Sequence, residues 1–379
     1  MAERPTILLT PGPVSTAPAT RAAMQADPPP WDAPFKALTR DVAGRLVHLA
    51  GGDPATHLCV PLPGSGSYAV EAMAGTLLPR PERNGGGRLL VPCNGNYGKR
   101  LEASVRIMGR DVVMLDGAED AALDPQRIAD ALAADPAITH VGVVHVETTT
   151  GLFNPVDRIA EVVHAARRRL WVDVVASLGI LPVRLNDWHA DAVASSSNKG
   201  IEGVPGCGFV IARRDALLAM RGNAHSLSLD VEWQGRFFEE SQGRFRYTPP
   251  THVVAAFAAA LDAFEADGGQ PARFARYSAN CRTLREGLED LGFMPLVAAD
   301  IQAPVIVTCH APPVPAWNFD TFYRVLKDAG FIIFPGKVTQ APSFRIGCIG
   351  QVQPADMERV VAAARAALDA MGMRPRSWP

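Results

Sequence analysis

The chain has 379 residues, 47% of them hydrophobic, with 37 lysines and arginines against 39 acidic residues and a formal net charge of −2. That length and apolar content suffice for two or three domain-sized cores, and the balanced charge gives no whole-chain field to draw nucleic acid or an anionic membrane. No run of about 18 apolar residues is present and the start has no sustained apolar stretch, so neither a membrane span nor a leader is expected and the chain reads as cytoplasmic. Six cysteines (Cys59, Cys93, Cys207, Cys281, Cys309, Cys348) lie far apart without a CxxC pair, which suits reduced core thiols better than zinc or disulfides.

Between residues 60 and 215 short apolar runs alternate with helical patterns, the signature of a mainly parallel sheet with crossover helices. A Gly/Ser loop at 63–68 leads into a helix over 70–78; strands follow at 89–91 and 112–115, a helix at 125–134, a strand at 140–146 and a helix at 155–168. Further strands fall at 170–174, 192–194 and 208–212, completing one α/β layer. An Ala-rich helix at 253–266 ends in a turn at 267–270, and the pattern then changes to a smaller α+β unit. That unit has a long helix at 273–291, a strand-like run at 304–308, a helix at 319–329, strands at 331–334 and 344–346 and a last helix at 354–371.

Lys199 stands in the small-residue segment 195–200 just past a strand, where an amine can face a cleft; judged alone it would more often be a solvated surface lysine. Asp173 ends a strand 26 residues upstream, with a helix-length crossover expected between them, and neighbouring parallel strands end on one crevice. An amine that can form an imine and move a proton, with a carboxylate that can keep a ring nitrogen protonated, suits pyridoxal phosphate (PLP). Ser65, Gly66 and Ser67, ahead of a helix, could close around its phosphate. Tyr97, among small neighbours, could stack on its ring, and Thr148, past a strand, could bond its phenolic oxygen; a core tyrosine and a turn threonine are the rival readings. Arg345, flanked by Phe344 and Ile346, would be costly there unless paired, and its fork suits a carboxylate or a phosphonate; a salt bridge is the rival reading. The histidines His145, His225 and His252 lack metal-ligand spacing and read as polar packing residues.

With these residues in place the chain resembles the class V, fold-type I PLP-dependent aminotransferases nearly end to end. The carriers are LLTPGPV at 8–14, VETTTGLFNP at 146–155, SSNKGIEGVPG at 196–206, SLSLD at 226–230, YTPPTH at 247–252, and FPGKVTQ through FRIGCIG at 334–350. The resemblance implies a PLP-binding large domain over 17–266, a small C-terminal domain over 267–379 and an N-terminal segment, 1–16, packed on the small domain. It also implies a homodimer whose active sites are shared between subunits. Residue by residue it implies Lys199 as the Schiff-base lysine and Asp173 as the pyridinium partner. Ser65, Gly66, Ser67 and Asn198 fall around the phosphate, Tyr97 on the ring and Thr148 near its hydroxyl. Thr248 falls where the family reaches the neighbouring subunit's phosphate, Arg345 where it grips the substrate anion, and Gly12 where backbone meets substrate.

The small-molecule substrates so implied are an amine and a 2-oxo acid. The expected reaction passes the amino group of 2-aminoethylphosphonate to pyruvate, with alanine:glyoxylate or serine:pyruvate exchange as the alternative within the family. The segment 27–32, DPPPWD, is more proline-rich than the resemblance leads one to expect. A desulfurase-like lyase would need a mobile nucleophilic cysteine, for which Cys348, in a strand-like run, is unsuited. Retention of both Lys199 and Asp173 argues against a non-catalytic PLP-binding protein.

Overall fold

The computed structural model of the chain describes residues 6–83, 85–334, 339–376 and 378. Residues 335–338 of the FPGKVTQ run and the first five residues of the N-terminal segment fall outside the described residues. In chain order the elements are β1 (Ile7–Leu9), α1 (Pro18–Ala22), α2 (Ala33–Leu49), β2 (His57–Gly64), α3 (Gly66–Leu77), β3 (Arg88–Cys93), α4 (Asn96–Ile107), β4 (Asp111–Asp116) and α5 (Pro125–Ala134). There follow β5 (Ile138–Val144), β6 (Val146–Glu147), β7 (Leu152–Phe153), α6 (Val156–Ala165), β8 (Arg169–Asp173), β9 (Ala192–Ser196), β10 (Gly206–Arg213), α7 (Arg214–Ala219), α8 (Val231–Glu240) and α9 (Thr251–Ala266). The remainder comprises α10 (Gly269–Asp290), β11 (Ile306–His310), α11 (Phe319–Asp328), β12 (Phe331–Ile333), β13 (Ser343–Gly347) and α12 (Pro354–Ala370).

Seven strands form the main sheet in the order β2-β10-β9-β8-β5-β3-β4. Strand side chains alternate between faces, and both faces are buried here. Val172, Val193, Phe209 and Ile211 pack with α2, α5, α6 and α9 on one side, while Trp171, Ala192, Ala194 and Val210 pack with α3 and α4 on the other. The helices form where local signals agree: α5 has Pro125 in its first turn, Asp124 accepting from the Gln126 N–H at 2.9 Å, and Ile128 and Leu132 buried one turn apart. Strand β10 runs antiparallel to both β9 and β2, because the short 197–205 connection leaves no room for a crossover helix. Two reversals restore the original sense, so β2, β9, β8, β5 and β3 all end on one edge of the sheet.

Three sequence expectations change. Residues 174–191 contain no helix: Ser177 and Leu178 both donate back to the Val174 carbonyl, Gly179 sits at φ +79° and Pro182 follows, so the crossover between β8 and β9 is a series of turns. Strand β2 occupies 57–64, where the sequence showed only the loop beyond it, and α10 begins at Gly269, inside the turn expected at 267–270.

A second core gathers Leu284 and Leu288 of α10, Phe322 and Leu326 of α11, Phe344 and Ile346 of β13, and Met357, Val360 and Ala364 of α12. Leu9 enters this core because β1 pairs in parallel with β12, Ile7 opposite Phe331 and Leu9 opposite Ile333. Strand β13 pairs with β11, Arg345 opposite Thr308.

Candidate active site

The strand ends on the common edge of the sheet surround a cavity of about 380 Å³. Its walls include Lys199, Asp173, Asn198 and Tyr97, the loop residues Ser65, Gly66 and Ser67, and Gly12 from the N-terminal turn. The sequence therefore named residues that the fold brings together from five separate stretches. Three others stand apart. Thr148 and Arg345 are buried and bonded to each other but do not line the cavity, and Thr248, exposed on the loop between α8 and α9, does not line it either.

Lys199 is held by its loop. Glu202 N–H donates to the Lys199 carbonyl at 2.9 Å, Gly203 N–H to the Ser197 carbonyl at 2.8 Å, and Ser196 Oγ to Asn198 Oδ1 at 2.9 Å. Gly200 lets this turn lie against Leu178 and Ile180, since a Cβ there would come within 2.5 Å of both. Gly12, at φ +124°, lies so close that an added Cβ would sit 2.4 Å from Lys199 Cδ and 2.8 Å from Nζ. Burial pushes the lysine amine down to about 8; Asp173 opposes this, and the charges of Arg100 and Arg345 reinforce it.

Asp173 closes β8, and its Oδ1 accepts the Val175 N–H at 2.9 Å. Burial raises its pKa to about 6, with the nearby Glu147 carboxylate adding to the rise and the Val175 N–H, Lys199 and Arg100 opposing it. Tyr97 lies in the first turn of α4, fixed by its backbone N–H donating to Glu147 Oε2 at 3.0 Å, and the Arg100 guanidinium sits 4.9 Å from its ring centroid. Arg345 is 4% exposed; its Nη1 donates to the Thr148 carbonyl at 2.9 Å, its guanidinium lies 4.5 Å from the Phe334 ring centroid, and burial lowers its pKa. It has no carboxylate in an ion pair among the described residues, so the salt-bridge reading does not hold.

Sequence reasoning missed Glu147, Arg100 and Glu202. Glu147 is fully buried, accepts from the Tyr97 and Thr149 N–H groups and the Thr149 hydroxyl, and has its pKa raised by burial. Gly95 makes room for it, since a Cβ there would lie 2.2 Å from the carboxylate carbon. Glu202 bonds Arg273, Arg276, Tyr277 and Gln351, tying the lysine loop to α10 and to the segment after β13. Arg100 had a usable signal: it stands three residues after Tyr97, one helical turn, and so shares its face. Among the histidines, His252 is half exposed and pairs with Asp27 at 2.9 Å, a surface contact and not packing.

These walls fit PLP on three observations. Thr148 Oγ1 and Arg345 Nε are buried without a hydrogen-bond partner and, although neither lines the cavity, the Arg345 charge acts on Lys199. Ser65 makes no capping bond, which leaves first-turn N–H groups of α3 free beside the cavity. At Gly66 a Cβ would meet Val175 at 2.7 Å, so the backbone closes tightly around the cavity. Lys199, Asp173 and the Ser65–Ser67 turn could thus hold the aldehyde, ring nitrogen and phosphate respectively.

Comparison with known proteins agrees. The family model for class-V aminotransferases matches residues 90–349. A 2-aminoethylphosphonate–pyruvate transaminase of Burkholderia ambifaria (strain MC40-6) is 50% identical over 368 residues, 97% of this chain and 96% of the relative. One of Burkholderia pseudomallei (strain K96243) is 48% identical over 376 residues, 99% of this chain and 100% of the relative. Among solved structures, pyridoxamine-pyruvate aminotransferase from Mesorhizobium loti superposes with a TM-score of 0.88 at 23% identity, covering 99% of this chain and 95% of that one. Alanine–glyoxylate aminotransferase from Nostoc sp. gives 0.87 at 23% identity, covering 97% and 96%; both show the fold. The chain belongs to the class-V aminotransferase family, with the fold-type I architecture and pyridoxal phosphate as its cofactor.

Proposed function

We propose that the chain transfers the amino group of 2-aminoethylphosphonate to pyruvate, giving phosphonoacetaldehyde and L-alanine. The observation that carries this choice of substrates is the 48–50% identity, over nearly the whole chain, to relatives bearing that name. Bound PLP supplies an aldehyde to receive the amino group and a ring to take up the electron pair of the broken C–H bond. Lys199 Nζ would remove the proton from the amine-bearing carbon and deliver it to the cofactor carbon that bore the aldehyde, then run the same transfer in reverse, onto the carbon of the acceptor, when pyruvate takes the amino group. With a pKa near 8 this amine is neutral in about a tenth of molecules at pH 7 and about half at pH 8, as a proton acceptor must be. Asp173 holds a proton at the ring nitrogen, and Thr148 Oγ1 donates to the ring oxygen. Ser65, Gly66, Ser67 and Asn198 hold the phosphate, Tyr97 covers the ring and Gly12 confines the lysine.

Arg345 binds the substrate anion. Its Nε is unpaired while Nη1 is anchored on Thr148, so one edge of the guanidinium is fixed and another is free. A single guanidinium serves the phosphonate in one half-reaction and the carboxylate of pyruvate in the other.

The same reading includes a cytoplasmic homodimer with the domain limits expected above. Thr248, exposed and outside its own cavity, supports a role in a neighbouring subunit's site, and six buried free thiols suit a reducing compartment. The deciding experiment adds 2-aminoethylphosphonate, L-alanine, L-serine or glycine separately to the yellow holoenzyme without an acceptor. Loss of the yellow colour with the phosphonate, restored by pyruvate, is expected. Conversion by alanine or serine but not by the phosphonate, with glyoxylate or pyruvate restoring the colour, would transfer the assignment to the alternative exchange.

A further inference from the structure

The cations lining the cavity, among the described residues, are Lys199 and Arg100. Lys199 is committed to the aldehyde end of the cofactor. Arg100 lies at the other end, its Nη1 donating to Ser67 Oγ at 2.8 Å, at the first turn of α3. It has no ion-pair partner among the described residues, whereas Arg88, for example, bridges Asp111 and Asp135. A second contact fixes it, the Tyr97 ring 4.9 Å from its guanidinium carbon. Its charge is felt at Lys199, Asp173 and Glu147.

We propose that Arg100 is a positioning residue for the cofactor phosphate, acting through Ser67. This rests on the reading of the cavity as the PLP site. A serine hydroxyl has one proton and two lone pairs. When Arg100 occupies a lone pair of Ser67 Oγ, the hydroxyl proton is left for an acceptor in the cavity, and the hydroxyl is no longer free to rotate. The guanidinium adds a full positive charge behind that donor, at the end of the cavity where the free N–H groups of α3 already favour an anion. The stacking on Tyr97 makes the same side chain a brace for the ring wall, so phosphate and ring are located by one residue.

The test titrates apo-protein with pyridoxal phosphate and with pyridoxal, which lacks the phosphate, for the natural chain, Arg100→Met and Arg100→Lys. Binding is followed by absorbance and by quenching of intrinsic fluorescence. Arg100→Met is expected to weaken pyridoxal phosphate about tenfold while leaving pyridoxal within about twofold, and Arg100→Lys to recover part of the loss. In a Ser67→Ala background the Arg100→Met effect should shrink, because its route is gone. Equal weakening of both ligands, or of neither, overturns the proposal, and an undiminished effect in the Ser67→Ala background overturns the route through Ser67. Failure of the natural chain to capture pyridoxal phosphate at all would instead remove the reading on which the proposal rests.

Discussion

In the cavity the charges of the Lys199 amine and the Asp173 carboxylate act on each other without an ion pair between them, and the two shifts have opposite consequences for pH. The lysine pKa falls from 10.5 to about 8, so the neutral amine needed to attack the cofactor aldehyde becomes abundant near pH 8. The rate at which apo-protein captures PLP, measured by stopped-flow absorbance, should therefore rise with a midpoint near pH 8; a midpoint near 10.5 would place the amine in water. For stability the unfolded lysine keeps its proton up to about 10.5, so unfolding takes up a proton between 8 and 10.5 and this group's contribution rises with pH across that window. Asp173 has the reverse sign: its folded pKa is about 6 against 3.8, so the folded chain holds the extra proton and the contribution falls as pH climbs through that range. Replacing Asp173 with Asn removes the charge that keeps a ring nitrogen protonated while nearly preserving shape. Single-turnover measurement should show proton removal from the substrate slowed by about a hundredfold or more with PLP still bound, and an unchanged rate would deny Asp173 its role.

Among the elements, the turn before the first long helix controls the lysine as closely as the lysine's own loop does. Gly12 has φ +124°, which disfavours any side chain, and a methyl group would overlap Lys199 at Cδ and Nζ. Gly12→Ala should abolish or displace the visible band of lysine-bound cofactor while the far-ultraviolet circular dichroism stays unchanged; a normal band would mean the turn can move aside. The residue pattern already pointed to Lys199 and Asp173, because strand ends and small-residue loops leave a local mark, whereas the Gly12 turn was named only by the family resemblance. It did not expose Glu147, whose carboxylate turns back onto the Tyr97 backbone from a two-residue strand. Nor did it show Arg100, which needed α4 to be seen beginning at Asn96 before the three-residue spacing to Tyr97 could be read as one helical face. The 174–191 crossover is long enough for a helix, but Gly179, at positive φ, and Pro182 break it into turns through backbone geometry that residue spacing alone does not show.

On the scale of the whole molecule, the lysine loop, α10 and the segment after β13 converge on one point, and Glu202 is the knot. It is 3% exposed and gathers Arg273, itself 2% exposed, with Arg276, Tyr277 and Gln351, while the Tyr277 hydroxyl also accepts the Gly350 N–H at 3.1 Å. The two cores are thus joined beside the active site and not only through the chain connection. Of the site residues named by the resemblance, Thr248 is the one that is exposed and does not line the cavity. If it completes the phosphate site of a neighbouring copy, a negative charge there repels the neighbour's cofactor and leaves its own cavity intact. Thr248→Glu chains should then be inactive alone, as should Lys199→Ala chains. Unfolded and refolded together, they should regain about a quarter of natural activity, since random pairing makes half the dimers hybrid and each hybrid has one complete site of two. Recovery would require Lys199 and Thr248 to act from different subunits. No recovery, with hybrids confirmed by mass, would confine each site to a single chain.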